Sequence, residues 1–142
     1  METSHLNVAC VHCHATNRVP AARLGEDPSC GRCGADLLVG LPVELNDSNF
    51  EAFTKHTDLP VLVDFWAPWC GPCVGMAAQF DLAAAQLKGQ AILVKVNSDD
   101  NPKTSTLFGI RSIPTLITLE GGREKSRRSG ALQAGQIIAL VR

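Results

Sequence analysis

The stretch Val61-Leu62-Val63-Asp64-Phe65-Trp66-Ala67-Pro68-Trp69-Cys70-Gly71-Pro72-Cys73 decides how this chain is read. Its β-branched and aromatic opening, apolar except for Asp64, predicts a buried strand. Cys-Gly-Pro-Cys then gives way to Met76-Ala77-Ala78, so the order is strand, tight turn, helix. Cys70 stands at the helix start, where unpaired backbone N–H groups and the helix dipole favour an anion. That position favours an ionised, nucleophilic sulfur. Two intervening residues let Cys73 reach Cys70 from the first helical turn, so the pair can close and open as a disulfide without rearranging the fold. Pro72 stiffens the turn and removes a donor that the first turn does not use. The stretch reads as a dithiol redox centre.

Working outward, the chain has 142 residues, 45% of them apolar and 19% charged, with a net charge of −1. That suits one ordinary domain, or a domain of about 100 residues with a small attachment. The composition argues against disorder. The charge leaves no electrostatic footprint for nucleic acid or an anionic membrane. No apolar run approaches the ~18 residues of a membrane span. Met1-Glu2-Thr3-Ser4-His5 lacks the basic patch and apolar stretch of a secretory signal. The expectation is a cytoplasmic monomer with no nucleic-acid or membrane partner, kept where thiols stay reduced.

The six cysteines fall into three Cys-x-x-Cys pairs: Cys10/Cys13, Cys30/Cys33 and Cys70/Cys73. In a reducing compartment such pairs are metal ligands or catalytic thiols before they are structural bridges. Sixteen residues separate the first pair from the second, which is the two-and-two spacing of a four-thiolate zinc site. Four ligands leave no open position, so the spacing predicts one structural zinc per chain, held by Cys10, Cys13, Cys30 and Cys33. Gly31 and Gly34 ease the backbone around the second knuckle. His12 and His14 flank Cys13 and are expected to face solvent. The competing reading, two disulfides, is disfavoured by the compartment.

Residues 1–40 carry Pro20, Gly25, Pro28, Gly31, Gly34 and Gly40 and little periodic apolar pattern. Such a segment is expected to lack a core and to be ordered by its metal. Three arginines, no lysines and four acids give it no nucleic-acid character. Gly40-Leu41-Pro42 marks the expected boundary between a zinc-binding segment, 1–40, and a second domain, 41–142. The second domain is expected to keep its activity without the first.

From Pro42 onward strands and helices alternate. A short strand at 43–45 precedes a helix capped by Asp47 or Ser48 and ending near Lys55. The strand at 61–66 leads to a helix from Gly71 to about Leu87, stopped by Gly89. A strand at 91–97 and a helix at 102–108 follow. Strands at 115–119 and 123–128 flank the hairpin turn Glu120-Gly121-Gly122, and a helix at 131–141 closes the chain. Alternation predicts parallel pairing first and the hairpin antiparallel pairing later, an α/β mixed sheet with helices on both faces.

Trp66-Ala67-Pro68-Trp69-Cys70-Gly71-Pro72-Cys73, with Asp64 upstream, Lys95 in Val94-Lys95-Val96-Asn97 and Ile113-Pro114-Thr115 downstream, resembles the thioredoxins over about residues 41–142. The four-cysteine segment resembles the N-terminus of the zinc-containing second thioredoxins of bacteria. It is joined there by Asn17-Arg18-Val19-Pro20 and Phe108-Gly109-Ile110-Arg111-Ser112-Ile113-Pro114-Thr115.

The resemblance implies the thioredoxin fold with a small N-terminal zinc-ribbon-like segment, and protein-disulfide reduction with Cys70 attacking and Cys73 resolving. It implies Asp64 as proton acceptor for Cys73, with Lys95 as its countercharge; burial alone already raises the proton affinity of such a carboxyl. It implies a cis Pro114 beside the disulfide, and a target platform of Trp69, Gly71, Pro72, Ile113, Pro114 and Gly130. Trp66 reads equally well as a core aromatic. The implied partners are disulfide-containing proteins and an NADPH-dependent thioredoxin reductase, which carries the flavin and nicotinamide; this chain is expected to bind neither. One departure is Ala78, where many of these proteins place a kinking proline, and it predicts a straighter helix.

Overall fold

A computed structural model describes residues 4–142; the first three residues of the expected N-terminal segment, and with them most of the stretch read for a signal, lie outside it. Two strands, β1 (His5–Ala9) and β2 (Thr16–Pro20), form an antiparallel hairpin, followed by a single 3-10 turn at Ala21–Arg23. The remaining elements are β3 (Val43–Glu44), α1 (Phe50–Lys55), β4 (Val61–Trp66), α2 (Gly71–Gln86), β5 (Ile92–Asn97), α3 (Pro102–Leu107), β6 (Thr115–Glu120), β7 (Arg123–Ser129) and α4 (Ala134–Ala139). Among the described residues, no helix is long and apolar enough to cross a membrane.

Five strands make one mixed sheet in the order β3-β5-β4-β6-β7. β3 and β4 lie parallel to β5, while β6 is antiparallel to both β4 and β7. β4 is central and its residues alternate between two cores, as the period of two requires. Val61, Val63 and Phe65 join Phe50 and Phe53 of α1 on one face. Phe108, just past α3, stacks edge-on against Phe50 with ring centres 5.6 Å apart. Leu62 joins Met76, Phe80 and Leu87, with Ile137 of α4, on the other. These are the helices on both faces that the alternation predicts.

The sequence anticipates each element of the sheet and its helices to within a few residues. The N-terminal hairpin it does not anticipate. β1 and β2 are short and partly exposed; Val8, Ala9 and Val19 are buried, and Leu6 is half-buried against the same core. The three buried residues pack with Leu38, Leu45, Phe53 and Leu59 in one core cluster. The seam is hydrogen-bonded as well as apolar: Asn7 N–H donates to Asp58 Oδ2 at 2.7 Å, Asp58 N–H to the Asn7 carbonyl at 2.8 Å, and Ala9 N–H to Thr57 Oγ1 at 3.2 Å. The segment lacks a core of its own and shares that of the sheet.

Two helix starts differ from the expectation. Asn49, not Asp47 or Ser48, immediately precedes α1. Asp47 instead serves α3, accepting from Lys103 N–H, Thr104 N–H and Thr104 Oγ1–H at 2.7–3.1 Å. Against burial, which pushes it up, hydrogen bonds from Thr104 and Lys103 hold the Asp47 carboxyl below its ordinary value. α4 begins at Ala134 rather than Ala131. The preceding turn is spent anchoring Leu132, whose N–H meets Met76 Sδ, and Ala134 N–H donates to Gln79 Oε1 of α2 at 2.9 Å. α2 itself runs unbroken through Ala78.

The shared core sets a stability test. Phe80→Ala should cost about 3–5 kcal/mol and Val8→Ala about 1.5 kcal/mol. Both should shift one common unfolding transition in urea. Two separated transitions would show that the hairpin unfolds by itself.

Candidate functional site

β4 ends at Trp66, and after three intervening residues Cys70 caps the start of α2. Cys70 and Cys73 form a disulfide across Cα atoms 5.2 Å apart. Cys73 N–H donates to Cys70 Sγ at 3.2 Å, so the Cys70 sulfur sits where an N-cap oxygen would and faces the free N–H groups of the first turn. Cys70 is 5% and Cys73 2% exposed, and both pack against Ala67, Trp66 and Ile113. Ile113–Pro114 is a cis peptide, and the Ile113 carbonyl oxygen lies 3.7 Å from Cys70 Sγ.

Around the disulfide, Trp69, Gly71, Pro72 and Gly130 are exposed, Ile113 is half-buried and Pro114 is buried. Gly130 takes φ 96°, a left-handed conformation costly for side chains, and its N–H donates to the Pro114 carbonyl at 2.9 Å. That bond ties the loop after β7 to the cis-proline loop. Trp69, 70% exposed, is steadied by an Nε1–H bond to Asp99 Oδ2 at 2.6 Å. An open cleft of about 570 Å³ runs beside it, lined by Asp99, Ser105, Ile110, Arg111 and Ile113 among others. Asp99 is a part of the site that sequence reasoning missed. It lies in the ordinary-looking Ser98-Asp99-Asp100 loop after β5, and no spacing signals that it meets Trp69 thirty residues earlier.

Asp64, on the strand that leads into the disulfide turn, is 1% exposed and lies on the α2 face of the sheet. Burial raises its carboxyl from an ordinary 3.8 to about 7, opposed by the charge of Lys95. Lys95 is its direct neighbour in the β4/β5 register. The two do not form a close ion pair; the Lys95 ammonium sits over the Trp66 ring, 4.2 Å from its centre.

In the N-terminal segment Cys10, Cys13, Cys30 and Cys33 bring their four sulfurs within 4.8 Å of one another. Each pair sits on the same kind of turn. Cys10 N–H donates to the Ala15 carbonyl and His14 N–H to that of Cys10; Cys30 N–H donates to Ala35 and Gly34 N–H to Cys30. The fifth residue of each knuckle, His14 or Gly34, has positive φ. His14 is thus spent on the turn, and His12 and His14 are both exposed. Cross-knuckle sulfur separations are 3.6 Å for Cys10/Cys33 and 3.5 Å for Cys13/Cys30. Four thiolates bound at about 2.3 Å to one tetrahedral zinc stand about 3.8 Å apart, so the donor set fits that ion. Asn17, which the sequence marks only through the resemblance and to which it assigns no role, ties β2 to the second knuckle. Its Nδ2–H donates to Cys30 Sγ at 3.4 Å and its Oδ1 accepts from Gly31 N–H at 2.9 Å. Backbone donation from Cys33 and then the Asn17 bond lower the Cys30 thiol to about 6.

Among known proteins, the family model described as Thioredoxin matches residues 41–142, and one described as Thioredoxin 2, N-terminal, matches residues 9–35. The chain belongs to the thioredoxin family. Thioredoxin C-3 of Corynebacterium nephridii is 44% identical over 126 residues, covering 89% of this chain and 86% of the relative. The thioredoxin of Haemophilus influenzae is 43% identical over 99 residues, covering 70% and 92%. Among solved structures, chloroplastic thioredoxin z superposes with a TM-score of 0.65 at 30% identity, over 73% of this chain and 94% of that one. A point mutant of a thioredoxin from Halobacterium salinarum gives 0.66 at 26%, over 72% and 88%. Thioredoxins are protein-disulfide oxidoreductases, and this thioredoxin carries its redox disulfide at Cys70–Cys73.

The raised Asp64 carboxyl has a thermodynamic consequence. Its folded-state pKa lies above the unfolded value, so stability is fully present below about pH 4 and is lost as pH rises through about 7. Asp64→Asn removes the buried charge. It should stabilise the protein at pH 8 by roughly 3–4 kcal/mol relative to pH 4. Urea unfolding of both proteins at the two pH values measures this, and an equal difference at both would show that Asp64 is not buried as an anion.

Proposed function

We propose that this thioredoxin reduces protein disulfides with Cys70 as the attacking thiolate and Cys73 as the resolving thiol. The observation that carries this is the asymmetry of the pair: the Cys70 sulfur occupies the α2 cap position beside the exposed Trp69, while Cys73 lies behind it in the first helical turn. The Cys70 thiolate attacks one sulfur of the target disulfide and the other sulfur leaves as a thiolate, giving a Cys70–target mixed disulfide. Cys73 then loses its proton and attacks Cys70 Sγ. The Cys70–Cys73 bond forms, the mixed disulfide breaks, and the target leaves fully reduced. Two electrons pass from the dithiol to the target.

Asp64 is the acceptor of the Cys73 proton in this reading. A carboxyl held near 7 is matched to proton exchange at working pH, and Lys95 adjusts it through its charge. Trp69, Gly71, Pro72, Ile113, Pro114 and Gly130 form the platform for the target, whose backbone pairs with that of Ile113. An NADPH-dependent thioredoxin reductase returns the electrons, carrying the flavin and nicotinamide itself.

Cys10, Cys13, Cys30 and Cys33 hold one structural zinc per chain in the division we propose, zinc-binding segment 1–40 and thioredoxin domain 41–142. When bound, the ion cross-links the two knuckles. The sulfur spacing and the paired turns support that role. The protein works in the cytoplasm as a monomer.

Cys73→Ser should accumulate targets as covalent adducts and Cys70→Ser should not, read on non-reducing gels after incubation with a disulfide substrate. Comparable adducts on both variants would reverse the assignment. Protein purified under reducing conditions should contain one zinc per chain by elemental analysis. The quadruple Cys10, Cys13, Cys30 and Cys33 serine variant should contain none, whereas metal that persists in it would place the site elsewhere.

A further inference from the structure

Asp64 and Lys95 stand directly opposite one another where β4 pairs with β5. Opposite charges so placed ordinarily pair across the strands. Yet no carboxylate is paired with Lys95 among the described residues. Its ammonium lies 4.2 Å from the centre of the Trp66 indole, inside the range of cation–π attraction. Trp66 follows Asp64 by two residues on β4, so both project from the α2 face of the sheet. Asp64 Oδ1 is meanwhile buried with no hydrogen-bond partner among the described residues. Lys95 thus has two rival seats, the indole face and the carboxylate, and it occupies the first.

We propose that Trp66 is a positioning residue for disulfide exchange, whose indole face holds the Lys95 ammonium off Asp64 and so keeps that carboxylate able to accept the Cys73 proton. The inference rests on the assignment of Asp64 as the acceptor. A carboxylate in contact with an ammonium holds its negative charge tightly and accepts a proton poorly. An aromatic face seats the cation without supplying a competing anion. Lys95 then acts on Asp64 by its field alone, moderating the effect of burial without cancelling it.

Apart from the redox thiols Cys70 and Cys73, which are common to all the variants compared, no other charged side chain is presented to the carboxylate by the described elements packed on this face. β6 presents Leu116 opposite Asp64. The buried residues at the start of α2 are Cys73 and Met76, and the one acid of that helix, Asp81, is exposed. α4 contains no ionisable residue. The position of Lys95 is therefore the variable that decides the carboxylate's proton affinity once the strand is buried.

The test follows the Asp64 carboxyl carbon by NMR across pH in the reduced protein, beside the pH–rate profile of disulfide reduction. Wild type, Trp66→Phe, Trp66→Leu and Trp66→Leu combined with Lys95→Gln are compared. Trp66→Leu should lower the Asp64 midpoint by about one pH unit, a tenfold loss of proton affinity, and the limb of the rate profile should move with it. Trp66→Phe should keep both near wild type, and loss of Lys95 should abolish the downward shift. An unmoved midpoint in Trp66→Leu overturns the proposal. So does a drop that persists without Lys95, which would report water entering the space left by the ring.

A second measurement needs no substitution. The Lys95 ε-methylene protons of the wild type should resonate upfield of those of other lysines, because they lie over the ring; ordinary shifts overturn the proposal even if Trp66→Leu fails to fold. Asp64→Asn separates the two layers. An unchanged pH–rate profile in that variant removes the acceptor assignment and the inference with it. A profile that moves in Asp64→Asn but not in Trp66→Leu removes only the role of Trp66.

Discussion

Strand β4 is held on both sides, by β5 in parallel and by β6 in antiparallel register, and that double pairing is the constraint on which the rest depends. A strand so enclosed is buried on both faces from Val61 to Phe65, and only Trp66 at its end is partly exposed. Its alternate residues must fill two separate cores, and they do so with Val61, Val63 and Phe65 on one side and Leu62 on the other. The second row continues into Asp64 and Trp66, and there apolar filling gives way to chemistry. Because the strand cannot slip by one residue without turning its whole apolar row over, the acid and the indole are fixed beneath the first turn of α2. The redox pair needs no dedicated scaffold beyond this, since the strand that builds the core also aims it.

The same logic explains what the sequence discloses and what it withholds. β4 is apolar except for Asp64 and β5 is apolar to Val96 except for Lys95, and the turn residues around Gly89 and Gly121-Gly122 punctuate the later elements, so the sheet is legible without coordinates. The Cys-x-x-Cys pairs are legible too, because metal and redox chemistry impose their own spacings. Long-range polar contacts are not. Asp47 reads as a local helix cap but reaches instead to Lys103 and Thr104 on α3, a choice made by the packing of α3 beside it. Asp99 and Asn17 likewise acquire their roles from partners that no periodicity connects. The resemblance implies Lys95 as the countercharge of Asp64, and the register does set the two side by side, but a neighbouring ring offered the ammonium a seat that no sequence pattern reveals.

The N-terminal hairpin escapes notice for a different reason. Its strands are only five residues long and their exposed positions are polar, so too little apolar pattern and too little length mark them. What orders them is outside themselves: three inward residues on the core of the sheet, a short hydrogen-bonded seam at Thr57 and Asp58, and the knuckles at the far end. A segment with so little apolar surface is affordable only as a guest of a larger core.

The sheet has two outer strands, and both are poor templates. β3 is two residues long, too short to recruit a partner strand. β7 is long, but all seven of its residues are exposed and four of them, Arg123, Lys125, Arg127 and Arg128, are cationic; its register with β6 is further broken by a bulge near Thr118 and Leu119. Charged and irregular borders of this kind discourage strand addition by other chains. A disulfide reductase meets proteins whose covalent cross-links it has just opened and whose backbones are momentarily free to pair. With borders like these it can touch such chains at the redox site and withdraw without being drawn into their aggregates.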